Sequence, residues 1–374
     1  MTRLHQLADS GQAIWLDFIR RAHLADGSLQ TLIDQGVRGV TSNPTIFEQA
    51  IGRSDDYDPD LRRLTAAGAT PEQIYEALVL EDIAAAADLL RPLYDATVGQ
   101  DGYVSLEVSP ALAHDTAGTV AAGLRLFRAL GRPNVMIKVP ATPAGLPAVS
   151  ALLAAGVNVN VTLIFALAQY EAVALAYLDG LERRAAAGEE LRSVASVASF
   201  FVSRVDAAVD PELARAGVSK LIGRTAIANA KLAYARFREL FQGPRWKRLA
   251  AAGARVQRLL WASTGTKDPR LPDTHYVDGL IGPDTVNTVP PATLTAFLDH
   301  GAVAPTLAAD LLGAQAHLAN LAALGVDLDA VTQKLLDDGV AAFAASFEAL
   351  MASITTRRAR LLADQLQILA AGGR

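Results

Sequence analysis

The chain contains no cysteine, which excludes disulfides, thiolate metal sites and a cysteine nucleophile. Histidine is scarce too: the six residues His5, His23, His114, His275, His300 and His317 show no close ligand spacing. A His-rich metal centre is therefore not expected, although carboxylate sites stay open. There is no excess of positive charge. Lys and Arg number 34 against 39 Asp and Glu, a formal net charge of −5. That argues against a nucleic-acid footprint but leaves room for a local basic pocket around a small anion. No apolar run approaches the ~20 residues of a membrane span, and the N-terminal segment lacks an apolar signal core. Together these absences point to a cytoplasmic chain with no membrane or nucleic-acid partner. No GxGxxG fingerprint suggests a dinucleotide.

What remains is a globular composition, 51% hydrophobic and 20% charged over 374 residues. That length fits one large α/β domain or two smaller ones. Short β-rich apolar runs alternate with Ala/Leu-rich stretches, the pattern of a parallel sheet with crossover helices. The runs cover 13–19, 36–43, 103–109, 134–140, 157–165, 193–203, 256–263 and 275–281. Eight runs fit a (β/α)8 TIM barrel; a doubly wound sheet holds a similar number. Residues 48–98 are too long for one crossover and read as several helices around a turn-rich break at 52–60. Residues 305–374 read as a C-terminal helical extension. The expected organisation is one barrel domain over 1–374 with these helical additions, against the alternative of a separate C-terminal helical domain.

Polar residues interrupt the apolar runs with a period of two, which places them on one face of each strand. Lys138 lies between Ile137 and Val139. A lone strand lysine commonly snorkels or marks a sheet edge. Here, however, Ser105, Glu107 and Ser109 alternate with Leu106 and Val108; Asn158, Asn160 and Thr162 alternate with Val157, Val159 and Val161; and Asp17 lies opposite Leu16 and Phe18. Near Trp261, Ser263 falls on the tryptophan's face. In a sheet covered on both sides such groups need partners. In a barrel they would converge at the C-terminal mouth. A structural polar network is one reading of that convergence. The other is Schiff-base catalysis, in which an unprotonated amine attacks a ketone while two carboxylates divide the proton transfers.

These residues resemble the motifs of the transaldolase family over about 17–290. Ile137-Lys138-Val139-Pro140 is similar to the family's catalytic lysine strand, and Asp17 to the acidic residue ending its first strand. Thr41-Ser42-Asn43-Pro44 matches TxNP, and Glu107-Val108-Ser109 the glutamate strand. Asn160-Val161-Thr162-Leu163-Ile164-Phe165 matches NxTLxF, and Ser199 to Arg204 matches SxFVxR. The resemblance implies that Lys138 forms the Schiff base, that Glu107 and Thr162 move protons through a water, and that Asp17 takes the hydroxyl proton during carbon–carbon cleavage. Asn43, Asn160 and Ser199 would hold a dihydroxyacetone unit, Phe201 would shape the site, and Arg204 would grip phosphate. The implied substrates are sugar phosphates, with no cofactor and no metal. Two positions depart from the family: Phe200 and Ser203 replace the Pro and Gly of SPFVGR, and the second phosphate arginine is missing. Ser263 to Lys267 stands in its place, either as a phosphate loop using Ser263 and Lys267 or as an ordinary glycine turn. Asn287-Thr288-Val289-Pro290 closes the last strand region, with lining the site as one reading and a loop cap as the favoured one. A related Schiff-base aldolase releasing free dihydroxyacetone, or a non-catalytic sugar-phosphate-binding barrel, are competing readings. Glu107 favours transfer, because the short fructose 6-phosphate aldolases of the superfamily lack that carboxylate. The choice between monomer and homo-oligomer stays open.

Overall fold

A computed structural model describes residues 2–372, with side chains described to residue 363. Eight parallel strands close into a barrel in chain order: β1 (Gln12–Leu16), β2 (Val37–Thr41), β3 (Tyr103–Glu107), β4 (Val135–Pro140), β5 (Val159–Ile164), β6 (Ser196–Phe201), β7 (Arg258–Ala262) and β8 (Thr285–Val289). β8 pairs with β1 to complete the ring. This is the (β/α)8 arrangement, not a doubly wound sheet, and seven of the eight expected runs contain its strands. The eighth does not. Within 275–281 the chain forms a short helix, His275–Asp278, which Asp278 ties down by accepting from the Thr274 hydroxyl at 2.7 Å. The closing strand lies ten residues later in the β-branched run Thr285-Val286-Asn287-Thr288-Val289, so residues read as a loop cap belong to the barrel wall.

Local signals explain the intervening helices. Residues 48–98 hold part of Pro44–Gly52 and all of Asp58–Ala66 and Pro71–Ala96. Asn43 caps the first, accepting from the Ile46 amide at 2.9 Å ahead of Pro44, and Thr70 forms a reciprocal capping box with Gln73 on the third. Trp15 on β1 is fully buried beside β2 and Tyr103 of β3. An alanine Cβ at Gly39 would approach the Trp15 ring within 2.6 Å, so the missing side chain on β2 makes room for the indole.

The C-terminal extension contains the helices Leu311–Ala323 and Leu328–Gly372. By length and composition the stretch Leu328–Ala363 is apolar enough to cross a membrane. Its residues Thr332, Leu336, Phe343, Leu350 and Ile354 are buried, a stripe at helical spacing. The stripe lies against the barrel's C-terminal mouth and the 44–96 insertion. Gly339 permits this approach, since a Cβ there would meet Leu163 Cδ2 at 2.9 Å. Thr45 and Ser346 share a hydrogen bond at 2.9 Å, Tyr75 meets Phe347 edge to face, and Arg357 donates to the Ile51 carbonyl at 2.6 Å and pairs with Asp58.

Away from the mouth, the buried Asp206 on the helix Ser203–Arg215 accepts from the Ala226 amide at 2.8 Å and the Tyr276 hydroxyl at 2.9 Å. Burial pushes its carboxyl up to about 7, partly offset by the Ala226 amide. A carboxyl raised in the folded state contributes fully below its ordinary pKa of 3.8 and loses that contribution as pH climbs to about 7. Asp206→Asn should therefore gain on the wild type between pH 4 and 7, by up to about 4 kcal/mol. Denaturant melts across that range test this, and a wild-type-to-variant difference independent of pH would refute it.

Candidate active site

Strand register decides which side chains meet. Glu107 is level with Lys138, Lys138 with Asn160, and Pro140 with Thr162. Level residues on adjacent strands share a face, so Glu107, Lys138 and Asn160 all point into the barrel near its C-terminal end. Lys138 is 5% exposed. Its Nζ lies 3.2 Å from Glu107 Oε2 and donates to the Ser42 carbonyl at 3.0 Å. The 3.2 Å contact is an ion pair without hydrogen-bond alignment, and Glu107 Oε2 has no other partner. Burial pushes the Glu107 carboxyl above the usual carboxylate range, while the Lys138 ammonium pulls it back.

Asp17 follows β1 directly, its amide bonded to the Val289 carbonyl at 2.8 Å. Its Oδ1 accepts from the Thr41 hydroxyl at 2.7 Å, and Thr41 meets Thr288 at 2.6 Å. Burial raises Asp17 as well, against the charges of Lys138, Arg204 and Lys267 and the Thr41 hydrogen bond. The two carboxylates thus flank one ammonium in different settings, Glu107 with an open oxygen and Asp17 held by a hydroxyl.

A polar chain lines the opposite wall. Ser199 Oγ donates to Asn160 Oδ1 at 2.7 Å, and Asn160 Nδ2 donates to Ser105 Oγ at 3.0 Å. Thr162 Oγ1 is buried with no partner. Phe201 packs on Phe165, and the Arg204 guanidinium lies 5.4 Å from the Phe201 ring centroid. Burial lowers the Arg204 pKa, partly countered by Asp17; the group stays charged.

Other expected residues are placed differently. Asn43 spends its Oδ1 on capping the helix Pro44–Gly52. Ser263 adopts a left-handed backbone (φ 55°) and bonds Ser203 Oγ at 3.1 Å. Trp261 does not share the inner face: Leu260 is level with the inward Ser199, so Trp261 points outward against Phe200. Asn158 serves the strands, donating to the Pro133 and Val135 carbonyls and accepting from the Ala195 amide. Asn287 fastens the loop after β7, accepting from Thr264 at 2.8 Å. Lys267 is exposed on that loop. Phe343 was missed by sequence reasoning. It comes from the C-terminal helix and places its ring centroid 5.8 Å from Lys138 Nζ; no local pattern marks it. Among the described residues no cluster of three or more His, Asp or Glu side chains forms a metal site.

The fold and this mouth define a (β/α)8-barrel enzyme built around a buried lysine. The family model described as transaldolase/fructose-6-phosphate aldolase matches residues 14–354, and the chain belongs to that family. Among its relatives, a protein of Parafrankia sp. (strain EAN1pec) named "Transaldolase" is 52% identical over 356 residues, covering 94% of this chain and 96% of the relative. A "Transaldolase" of Thermobifida fusca is 51% identical, covering 93% and 96%. "Transaldolase 2" of Nostoc sp. (strain PCC 7120) is 46% identical, covering 95% and 97%.

The Ser199–Asn160–Ser105 chain yields a stability prediction. Asn160→Ala strands two buried hydroxyls and should cost about 2–4 kcal/mol, whereas Ser199→Ala should cost about 1 kcal/mol. Urea melts of the two variants check the order; equal losses would show that the chain is not energetically linked.

Proposed function

We propose that this chain is a transaldolase, moving a dihydroxyacetone unit from sedoheptulose 7-phosphate or fructose 6-phosphate to glyceraldehyde 3-phosphate or erythrose 4-phosphate in the non-oxidative pentose phosphate pathway of the cytoplasm. The buried Lys138–Glu107 pair at 3.2 Å carries this reading, and the shared name of the relatives supports it. The same reading takes residues 1–374 as one barrel domain; the packing of the C-terminal helix on the barrel supports that.

The chemistry follows from the positions. An amine attacks a carbonyl only when neutral. Lys138 passes its proton to the adjacent Glu107, whose raised pKa lowers the cost of that transfer. Nζ then attacks the ketose carbonyl, and the carbinolamine loses water, with the protonated Glu107 returning a proton to the leaving oxygen. Thr162, its hydroxyl free of other partners, holds the water that links Glu107 to the reacting oxygen. Asp17, across the mouth, takes the proton of the hydroxyl on the neighbouring carbon as the carbon–carbon bond breaks. The protonated imine receives the electron pair and becomes an enamine, so the reaction calls for no cofactor. Asn160, Ser199 and the free Nδ2 of Asn43 hydrogen-bond the retained three-carbon unit, and Phe201 bounds it. Arg204 binds the substrate phosphate, as a planar guanidinium suits phosphate, with Ser263 and Lys267 on the loop after the neighbouring strand β7. Attack of the enamine on an aldose phosphate reverses the sequence.

Borohydride added during incubation with fructose 6-phosphate should leave a reduced dihydroxyacetone adduct on Lys138, read by intact mass and peptide mapping. Lys138→Ala should give no adduct and no turnover while keeping the wild-type circular dichroism. An active variant would reject the mechanism, and free dihydroxyacetone formed without an acceptor would instead indicate an aldolase. Glu107→Gln should slow single-turnover adduct formation by about 10²-fold or more without moving the labelled residue; an unchanged rate would remove Glu107 from the proton path.

A further inference from the structure

The barrel has a second mouth, at the opposite end from Lys138. There the first residues of β3, β4, β6 and β7 and the loops before them surround a cavity of about 430 Å3, lined by Tyr103, Met136 and Val197. Three arginines also line it, Arg192, Arg255 and Arg258, against a single carboxylate, Asp284. In a chain of net charge −5 this is a local reversal of sign.

The partners of these arginines do not remove the excess charge. Arg258 donates to Asp101 at 3.0 Å and to the Gln100 carbonyl at 2.6 Å. Asp101 is shared with Arg38 at 3.1 Å, so one carboxylate serves two guanidiniums. Arg255 donates to the Val98 carbonyl at 2.6 Å and to the Gly99 carbonyl. Carbonyl acceptors satisfy N–H groups and fix the guanidinium plane, but they leave its full charge in place. Arg192 makes no hydrogen bond or ion pair among the described residues. Three guanidiniums therefore line the cavity against Asp284, while Asp101 beside it is shared between Arg258 and Arg38.

The N-terminal face of such a barrel ordinarily serves stability. That role accounts for Arg258 and Arg255, which clamp the loop before β3. It does not account for Arg192, nor for a cavity within the size range of small-molecule sites. We propose that the N-terminal mouth binds a small phosphate monoester dianion, with Arg192 and Arg255 on the phosphate and the ester chain against Tyr103 and Met136. An excess of two positive charges matches the dianion, fixed guanidiniums suit its oxygens, and the volume exceeds what inorganic phosphate fills.

Titration calorimetry at constant ionic strength tests this. Glycerol 3-phosphate is the probe, because it lacks a carbonyl and cannot form an imine. The Arg204→Gln protein, weakened at the catalytic mouth, should still bind it at one site. Adding Arg192→Ala should weaken that binding about tenfold or more, and Arg192→Lys should restore part of it. Arg192 is exposed and unpaired, so its loss leaves the fold intact. Absence of binding in Arg204→Gln, or equal affinity with and without Arg192, would overturn the site. Inorganic phosphate should bind more weakly than the ester; equal or tighter binding would overturn the monoester assignment.

Discussion

The structure depends on keeping an ammonium inside a closed ring of apolar strands. Lys138 is nearly inaccessible, and an isolated buried charge of that kind costs several kcal/mol. Glu107, the Ser42 carbonyl and the nearby Asp17 offset the cost, and each comes from a different strand end. Their convergence requires the register of β1 to β5 to be held to one residue, because a slip would turn a whole strand's polar face outward. The compensation is also incomplete. Glu107 retains an oxygen without a hydrogen bond and Thr162 a hydroxyl without one. Those open positions mean that the network does not satisfy itself, as the proposed reaction requires.

The two ends of the barrel treat charge differently. At the C-terminal mouth one ammonium lies between two carboxylates, both raised by burial and both opposed by the Lys138 charge. At the other mouth the guanidiniums cannot give up protons, and the chain fixes them with loop carbonyls. The first arrangement suits chemistry and the second suits binding.

Much of this was legible in the sequence, because parallel strands covered on both sides should be apolar throughout and these were not. The alternation around Lys138, Glu107 and Asn160 gave both the strands and the inward face. The errors occurred where local pattern and tertiary pairing part. Residues 275–281 are apolar enough for a strand, but His275–Asp278 form a helical turn, with Thr274 donating to Asp278 across it. Asn287 and Thr288 read as a cap when 275–281 is taken as the closing strand; their pairing with β1 is non-local. Trp261 and Ser263 fall two apart, yet the left-handed backbone at Ser263 ends the strand's alternation. Phe343 could not be found from its neighbours, since its meaning depends on where a distant helix crosses.

That crossing has a consequence for synthesis. The barrel is complete in chain order once Val289 is reached, while the ring that covers Lys138 belongs to a helix beginning at Leu328. A chain emerging from the ribosome can therefore close its barrel, with every proposed proton-transferring group in place, before the mouth has its cover. Until then Lys138 lacks the Phe343 ring beside it. On the proposed mechanism, the helix that brings Phe343 to Lys138 is the last part of the site to form.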